Sequence, residues 1–218
     1  MSFSFELDGE KFSEFNEEDF DLMETIAEDL CLNRVTPIDL DEEFEFHCEP
    51  SHNIAEEEIF RFIDVIDDNI GHLYLRCKGA DWKDDKEDEL TEPGLIYIWF
   101  TREEELVGFD CFKLCLDDDN KMVLYLYEIH LTEEYQCQHF GGKLIAEFHN
   151  LAKKLKDSNH DLYKHLEGTG LTVFTDNLSA LNWYENLGYK LTEASPQDKT
   201  LRNGKNVKPD YYLMRRPL

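Results

Sequence analysis

The stretch from residue 95 to residue 156 constrains the fold most. Three apolar, β-favouring segments, 95–101, 106–116 and 122–131, follow one another with only the charged turns 102–105 and 117–121 between them. Turns that short leave room for hairpins and nothing longer, so the spacing predicts an antiparallel meander. The third segment then leads through a glycine-containing turn into an amphipathic helix over 141–156. Leu144, Ile145, Phe148, Leu151, Ala152 and Leu155 share one face of that helix. A further strand over 171–175 makes this a strand–helix–strand unit, whose two strands run parallel. Antiparallel and parallel pairing in one chain predict an α+β or mixed-sheet α/β domain, a central mixed sheet flanked by helices.

Before the meander, residues 16–32 read as a helix with Glu17, Glu18 and Asp19 in its first turn and Phe20, Met23, Ile26, Ala27 and Leu30 on one face. Residues 44–48 alternate like a strand. Ser51 is a candidate cap for a second helix, with Ile59, Phe62, Ile63, Ile66 and Ile70 on its apolar face. Residues 1–15 and 78–93 read as loose and as a loop. After residue 175 come a helix over 178–187, stopped by Gly188, and strands over 189–193 and 211–215. We divide the chain into an acidic N-terminal segment with a helix, 1–45, and a domain over 46–218.

Charge narrows the partners. The 218 residues carry 49 Asp and Glu against 22 Lys and Arg, a net charge of −27. Such a field repels nucleic acids and anionic lipid and attracts basic peptides or polyamines, although acidity alone also serves solubility. Residues 1–60 hold 20 acidic residues and only Lys11 and Arg34 as basic ones. The end reverses the sign, with Lys199, Arg202, Lys205, Lys208, Arg215 and Arg216 against Asp210. Six cysteines show neither C-x-x-C nor zinc-ligand spacing, so no metal is expected. The start lacks a signal-peptide pattern and no apolar run is long enough to span a bilayer. The expectation is a monomer with reduced thiols in the cytoplasm and nucleus, without membrane or direct nucleic-acid contact.

Two junctions carry the chemistry. The third meander strand ends Tyr125-Leu-Tyr127-Glu128-Ile129-His130-Leu131 and passes through Gln136-Cys137-Gln138-His139-Phe140-Gly141-Gly142 into the helix. A strand feeding a helix through glycines presents backbone N–H groups at the positive helix end, a seat for phosphate. The same glycines also suit plain close packing of helix on strand. Tyr125 and Tyr127 share one strand face, with Glu128 on the other unless a bulge intervenes. Clustered Tyr and Glu can hold a cation and move a proton. In the second junction Asp176 or Asn177 can cap a helix that carries Trp183 and Tyr184.

Together the junctions resemble the GNAT superfamily of N-acetyltransferases. Gln136-x-x-His139-x-Gly141 matches its Arg/Gln-x-x-Gly-x-Gly/Ala loop, with His139 in place of the first glycine. Asn177, Ala180, Trp183, Tyr184, Gly188 and Tyr189 match its second motif. Over 50–218 the chain is similar to the NatD family, N-alpha-acetyltransferases of histone N-termini. That match rests on Tyr74, Trp82-Lys83-Asp84, Val123-Leu-Tyr-Leu-Tyr-Glu128, Leu171-Thr-Val-Phe, Asn177, Ser195-Pro196, Tyr211 and Arg215-Arg216. A second family tryptophan appears here as Ala80, and a family acidic pair falls near Cys115 and Asp117.

The resemblance implies acetyl transfer from acetyl-CoA to the N-terminal serine α-amine of histone H4 and of the other core histone that begins Ser-Gly-Arg-Gly-Lys. An amine other than that one (a lysine side chain or a polyamine) and a non-catalytic acidic histone binder are the alternatives. Histone tails are the implied partners, and the ribosome is a further candidate. The implied catalytic residues are Glu128 as base, Tyr127 to orient the amine and Tyr184 to protonate the thiolate. Ile129, His130, Leu131, Cys137, Gln138, His139, Phe140, Gly141, Gly142 and Asn177 are implied to hold the cofactor. Tyr74, Asp117, Tyr125, Tyr127, Thr172 and Tyr211 are implied to hold the substrate.

Overall fold

In the computed structural model, residues 1, 3–38, 43–202, 204 and 206–218 are described. Lys205 of the basic C-terminal run lies outside the described residues.

The meander is present as β4 (Leu95–Arg102), β5 (Glu105–Leu116) and β6 (Met122–Leu131). Glu103 and Glu104 both have positive φ, the geometry of the tight hairpin turn that joins two right-twisted strands. On the outer edge, β3 (Glu45–Pro50) pairs antiparallel with β4. Helix α4 (Phe140–Asp157) crosses from β6 to β7 (Gly168–Phe174), which lies parallel to β6. Helix α5 (Leu178–Asn186) leads to the short β8 (Lys190–Leu191), and the chain closes with β11 (Tyr211–Pro217) between β7 and β8. The result is a seven-stranded mixed sheet in the order β3-β4-β5-β6-β7-β11-β8. The short strands β9 (Lys199–Thr200) and β10 (Asn206–Val207) form a separate ribbon.

Helices cover both faces. α1 (Phe20–Asp29) and α4 bury Met23, Ile26, Leu144, Ile145 and Phe148 against Ile96, Phe112, Leu124 and Leu126. α2 (Glu56–Lys78) and α3 (Trp82–Leu90) bury Phe62, Ile66 and Trp82 against Tyr97, Phe109 and Cys111 on the opposite face. Asp19 caps α1 by accepting the Leu22 N–H.

Four local expectations are corrected. Residues 5–12 are not loose: β1 (Phe5–Leu7) and β2 (Glu10–Phe12) form a hairpin whose Phe5 and Leu7 join the α1 core. The loop expected over 78–93 contains α3, polar everywhere except Trp82 and Leu90, which with the buried Lys86 form its inner stripe. Ser51 does not cap α2. It sits in a short 3-10 turn with its hydroxyl on the Glu92 carbonyl, and α2 begins at Glu56 after an uncapped Ala55. The first helix runs from Phe20 to Asp29 rather than over 16–32: Glu17 and Glu18 lie in a preceding turn, Asp19 is the cap, Phe20 is exposed instead of on the buried face, and a π-turn over Leu30–Arg34 follows.

Candidate active site

The pairing of β6 builds the site. It pairs with β5 along its whole length but with β7 only from Val123 to Leu126. Beyond that point the edge facing β7 has no strand partner, and the sheet splays. In the β5 register Leu126 lies opposite Phe112 and Glu128 opposite Cys111, so Tyr127 is an extra, bulged residue. Its effect is to change faces. Leu124 and Leu126 point into the α1/α4 core, and unbroken alternation would send Glu128 there too. Instead Glu128 and His130 turn to the α2/α3 face, where Tyr125 also lies.

A cleft of about 800 Å³ opens over this face. Of the residues singled out from the sequence, Tyr74, Asp117, Tyr125, Tyr127, Glu128, Ile129, His130, Thr172, Asn177, Tyr184 and Tyr211 line it. Leu131, the last residue of β6, and residues 137–142, beyond that strand where α4 begins, do not.

Glu128 is 5% exposed. Its Oε1 accepts the Tyr74 hydroxyl at 2.7 Å and the Lys86 ammonium at 2.8 Å; its Oε2 meets His130 Nε2 at 2.7 Å. Asn69 donates its amide to His130 Nδ1 and to the Leu131 carbonyl, which places the imidazole proton on Nε2, toward Glu128. Burial pushes the Glu128 carboxyl up, but Lys86 and His130 outweigh it and bring the pKa down to about 2. Tyr74 is stacked on Trp82, with ring centroids 4.8 Å apart, and meets Phe174 edge-on.

The residues that the family resemblance implies for the substrate meet at the other end of β6. The Tyr125 hydroxyl shares a 2.6 Å hydrogen bond with Thr172 and its ring meets Tyr127 edge-on. Asp117 is not a free carboxylate. It accepts the Asp119 and Lys121 N–H groups and pairs with Arg215. Two other acids line the cleft there. Asp118 is exposed, and Glu17, from the turn before α1, accepts the Leu116 N–H at 2.8 Å. Burial raises the Glu17 carboxyl, partly opposed by that N–H and by Lys113.

Tyr184 is 8% exposed, lines the cleft, and its hydroxyl has no hydrogen-bond partner among the described residues. Burial drives its pKa far upward and keeps it protonated. Asn177 caps α5 through Oδ1, which accepts the Ala180 N–H.

At the start of α4, Cys137 and His139 both adopt left-handed φ, 59° and 68°. Gly142 has open space where a side chain would stand, and Gly141 has only a Leu131 methyl, 3.8 Å away. Neither glycine is needed to pack helix on strand, so the reading of them as packing devices fails. What they leave is an uncovered first helical turn, whose N–H groups have no acceptor inside the helix. That is a fitting cradle for a pyrophosphate.

Lys86, Asn69, Glu89 and Glu17 belong to the site and escaped the sequence reading. The spacing of Trp82, Lys86 and Leu90 would have placed Lys86 on the inner face, had the segment been read as a helix. Among the described residues no group of three or more His, Cys, Asp or Glu could hold a metal ion, and no helix is long and apolar enough to cross a membrane.

Comparison with known proteins agrees with this architecture. N-alpha-acetyltransferase 40 of Saccharomyces cerevisiae is 27% identical over 150 residues, 62% of this chain and 52% of the yeast protein. The chain thus matches about half the length of that relative. An acetyltransferase from Streptococcus agalactiae superposes with a TM-score of 0.54 at 16% identity, covering 82% of this chain and 100% of the other. The PaiA N-acetyltransferase of Thermoplasma acidophilum, solved in complex with coenzyme A, superposes with a TM-score of 0.51 at 13% identity, covering 80% and 99%. Residues 67–189 match the family model described as Acetyltransferase (GNAT) family, and with more than half of its length matched this chain belongs to that family.

Proposed function

We propose that this chain is an N-alpha-acetyltransferase that moves acetyl from acetyl-CoA to the N-terminal serine of histone tails beginning Ser-Gly-Arg-Gly-Lys. The observation that carries the reading is the ionised Glu128 at the base of an aromatic cleft, at the point where β6 and β7 part. The yeast relative's name supports α-amine chemistry, and the coenzyme A complex of the Thermoplasma protein supports the cofactor.

Acetyl-CoA supplies an acetyl thioester. The first turn of α4, with residues Cys137 to Gly142, would hold its pyrophosphate, and the edge of β6 at Ile129–Leu131, free of a strand partner, would offer N–H groups to its arm and to the acetyl oxygen. The Nδ2 of Asn177, which capping leaves free, contributes a donor. An α-amine has a pKa near 7.7–8.0, so a large fraction is already neutral at working pH. Glu128 at about 2 is a weak proton sink but a permanent acceptor. It orients the amine directly or through water, with the Tyr127 hydroxyl alongside, and water carries the proton away. Tyr184, protonated and unpartnered, would hydrogen-bond the departing thiolate and pass on to it a proton that solvent resupplies.

The far end of the cleft suits a basic peptide. Arg215 already satisfies Asp117, so Glu17 and Asp118 supply the negative charge for the residues that follow the amine, between Tyr125 and Tyr211. A histone substrate implies action in the cytoplasm and nucleus, on finished histones or at the ribosome.

Mass spectrometry of a Ser-Gly-Arg-Gly-Lys peptide incubated with acetyl-CoA tests the proposal, with an N-terminally blocked copy beside it. Acetylation of the free peptide alone is the expected result. Transfer to both points to lysine chemistry, and transfer to neither overturns the assignment. Glu128→Gln is expected to lower the rate about 100-fold or more while CoA still binds.

A further inference from the structure

Along α3 the residues facing the sheet are Trp82, Lys86 and Leu90, one every fourth position. The middle of this stripe is where a helix on a sheet ordinarily carries an apolar side chain. Lys86 is 3% exposed there, and lysine is almost never so buried without a partner. Its ammonium is 2.8 Å from Glu128 Oε1 and 2.6 Å from Glu89 Oε2, and it lies over the Tyr74 ring, 4.7 Å from the centroid. The fold alone does not require this pair, because well-packed apolar residues commonly replace both partners of a buried ion pair without loss of stability, whereas removing one partner leaves the other charge buried.

We propose that Lys86 is a positioning residue of the acetyl-transfer site, holding Glu128 as a carboxylate and fixing it and Tyr74 relative to the incoming amine. The kinetic part of this inference rests on the acetyl-transfer reading; the electrostatic part stands on the geometry.

The groups facing Glu128 leave few substitutes. On α2 and β4, burial keeps the Tyr74 and Tyr97 hydroxyls protonated. On β5 and α5, Cys111 and Tyr184 are neutral for the same reason. Glu89 on α3 adds like charge. His130 on β6 offers one hydrogen bond to the other carboxylate oxygen. Lys86 is the lysine bonded to Glu128, and burial, which would lower its own pKa, is outweighed by Glu128, Tyr74 and Glu89. Without Lys86, burial pushes the Glu128 carboxyl upward against His130 alone. A protonated Glu128 donates a hydrogen bond where the amine needs an acceptor.

The test compares the wild-type protein with Lys86→Met and Lys86→Arg. The Glu128 carboxyl is followed by NMR with carbon-13 glutamate and identified by its loss in Glu128→Gln. In the wild type and in Lys86→Arg the carboxyl is expected to stay ionised down to about pH 4. In Lys86→Met it is expected to titrate above neutral pH, about 3–5 units over the ordinary glutamate value. On the Ser-Gly-Arg-Gly-Lys peptide, kcat for Lys86→Met falls about tenfold or more at neutral pH and recovers as pH rises through the new pKa. CoA affinity is expected to change less than about threefold, and Lys86→Met adds nothing in a Glu128→Gln background. The same Glu128 titration in Lys86→Met as in wild type overturns the proposal. So does a rate loss that tracks an equal loss of CoA binding, or one that adds fully to Glu128→Gln. If the wild type acetylates no peptide, the functional reading fails by itself and the Glu128 titration still decides the role of Lys86.

Discussion

Glu128 has both carboxylate oxygens engaged, by donors from three elements, and therefore stays charged where burial opposes charge. Asp110, on neighbouring β5, is the contrast. It is 1% exposed, its Oδ1 has no partner among the described residues, and burial lifts its pKa to about 8. A folded pKa above the unfolded one contributes stability below about pH 4 and loses it as pH rises toward 8. Asp110→Asn is expected to remove that decline, so thermal melts at pH 4.5 and pH 8 should converge in the variant. Glu128 works in the opposite sense. Its stabilisation is present above about pH 4.5 and fades as pH falls toward 2. His139 carries a left-handed backbone with a side chain attached, at ~1 kcal/mol. His139→Gly is expected to keep CoA affinity within a few-fold, and His139→Val to lower both melting temperature and CoA affinity. Calorimetry and a CoA titration distinguish them.

At the level of elements, one extra residue in β6 organises the site. The bulge at Tyr127 lets the strand serve the α4 core through Leu126 and the cleft through Glu128. Periodicity shows that β6 exists but not which residue the partner strand skips, because the register belongs to both strands. α3 was hidden for another reason: nine residues, mostly charged, have no helical stripe to detect except the one Lys86 interrupts. α1 was visible from its spacing, but its docking was not. Met23 and Ile26 are fully buried against the sheet. Ile26→Ala is expected to cost ~2–5 kcal/mol. Urea unfolding read by fluorescence and by circular dichroism should shift together if α1 and the sheet unfold as one unit.

For the whole molecule, charge and shape act together. If the substrate is a basic tail, as proposed, a net charge of −27 would attract it from a distance, and Glu17 and Asp118, which line the cleft, would receive it locally. The KM for a basic peptide is expected to rise several-fold between about 50 and 300 mM salt, as the screening length shrinks, with kcat nearly constant. A salt-independent KM would remove steering from the account.

By itself the sequence determined the order of the central elements, the meander, the crossover helix and the two motif-bearing junctions. These are local properties, written in hydrophobic period, turn residues and glycine placement. It also pointed to the Tyr and Glu side chains at the site through their place in those junctions. Tertiary structure decided which face Glu128 occupies, that Lys86 and His130 hold it, that Arg215 takes Asp117, and that Glu17 reaches the cleft from about 100 positions earlier than Leu116. Each of these is a meeting of residues distant in the chain. Burial and pairing set their charge and orientation, and neither exists until the chain has folded.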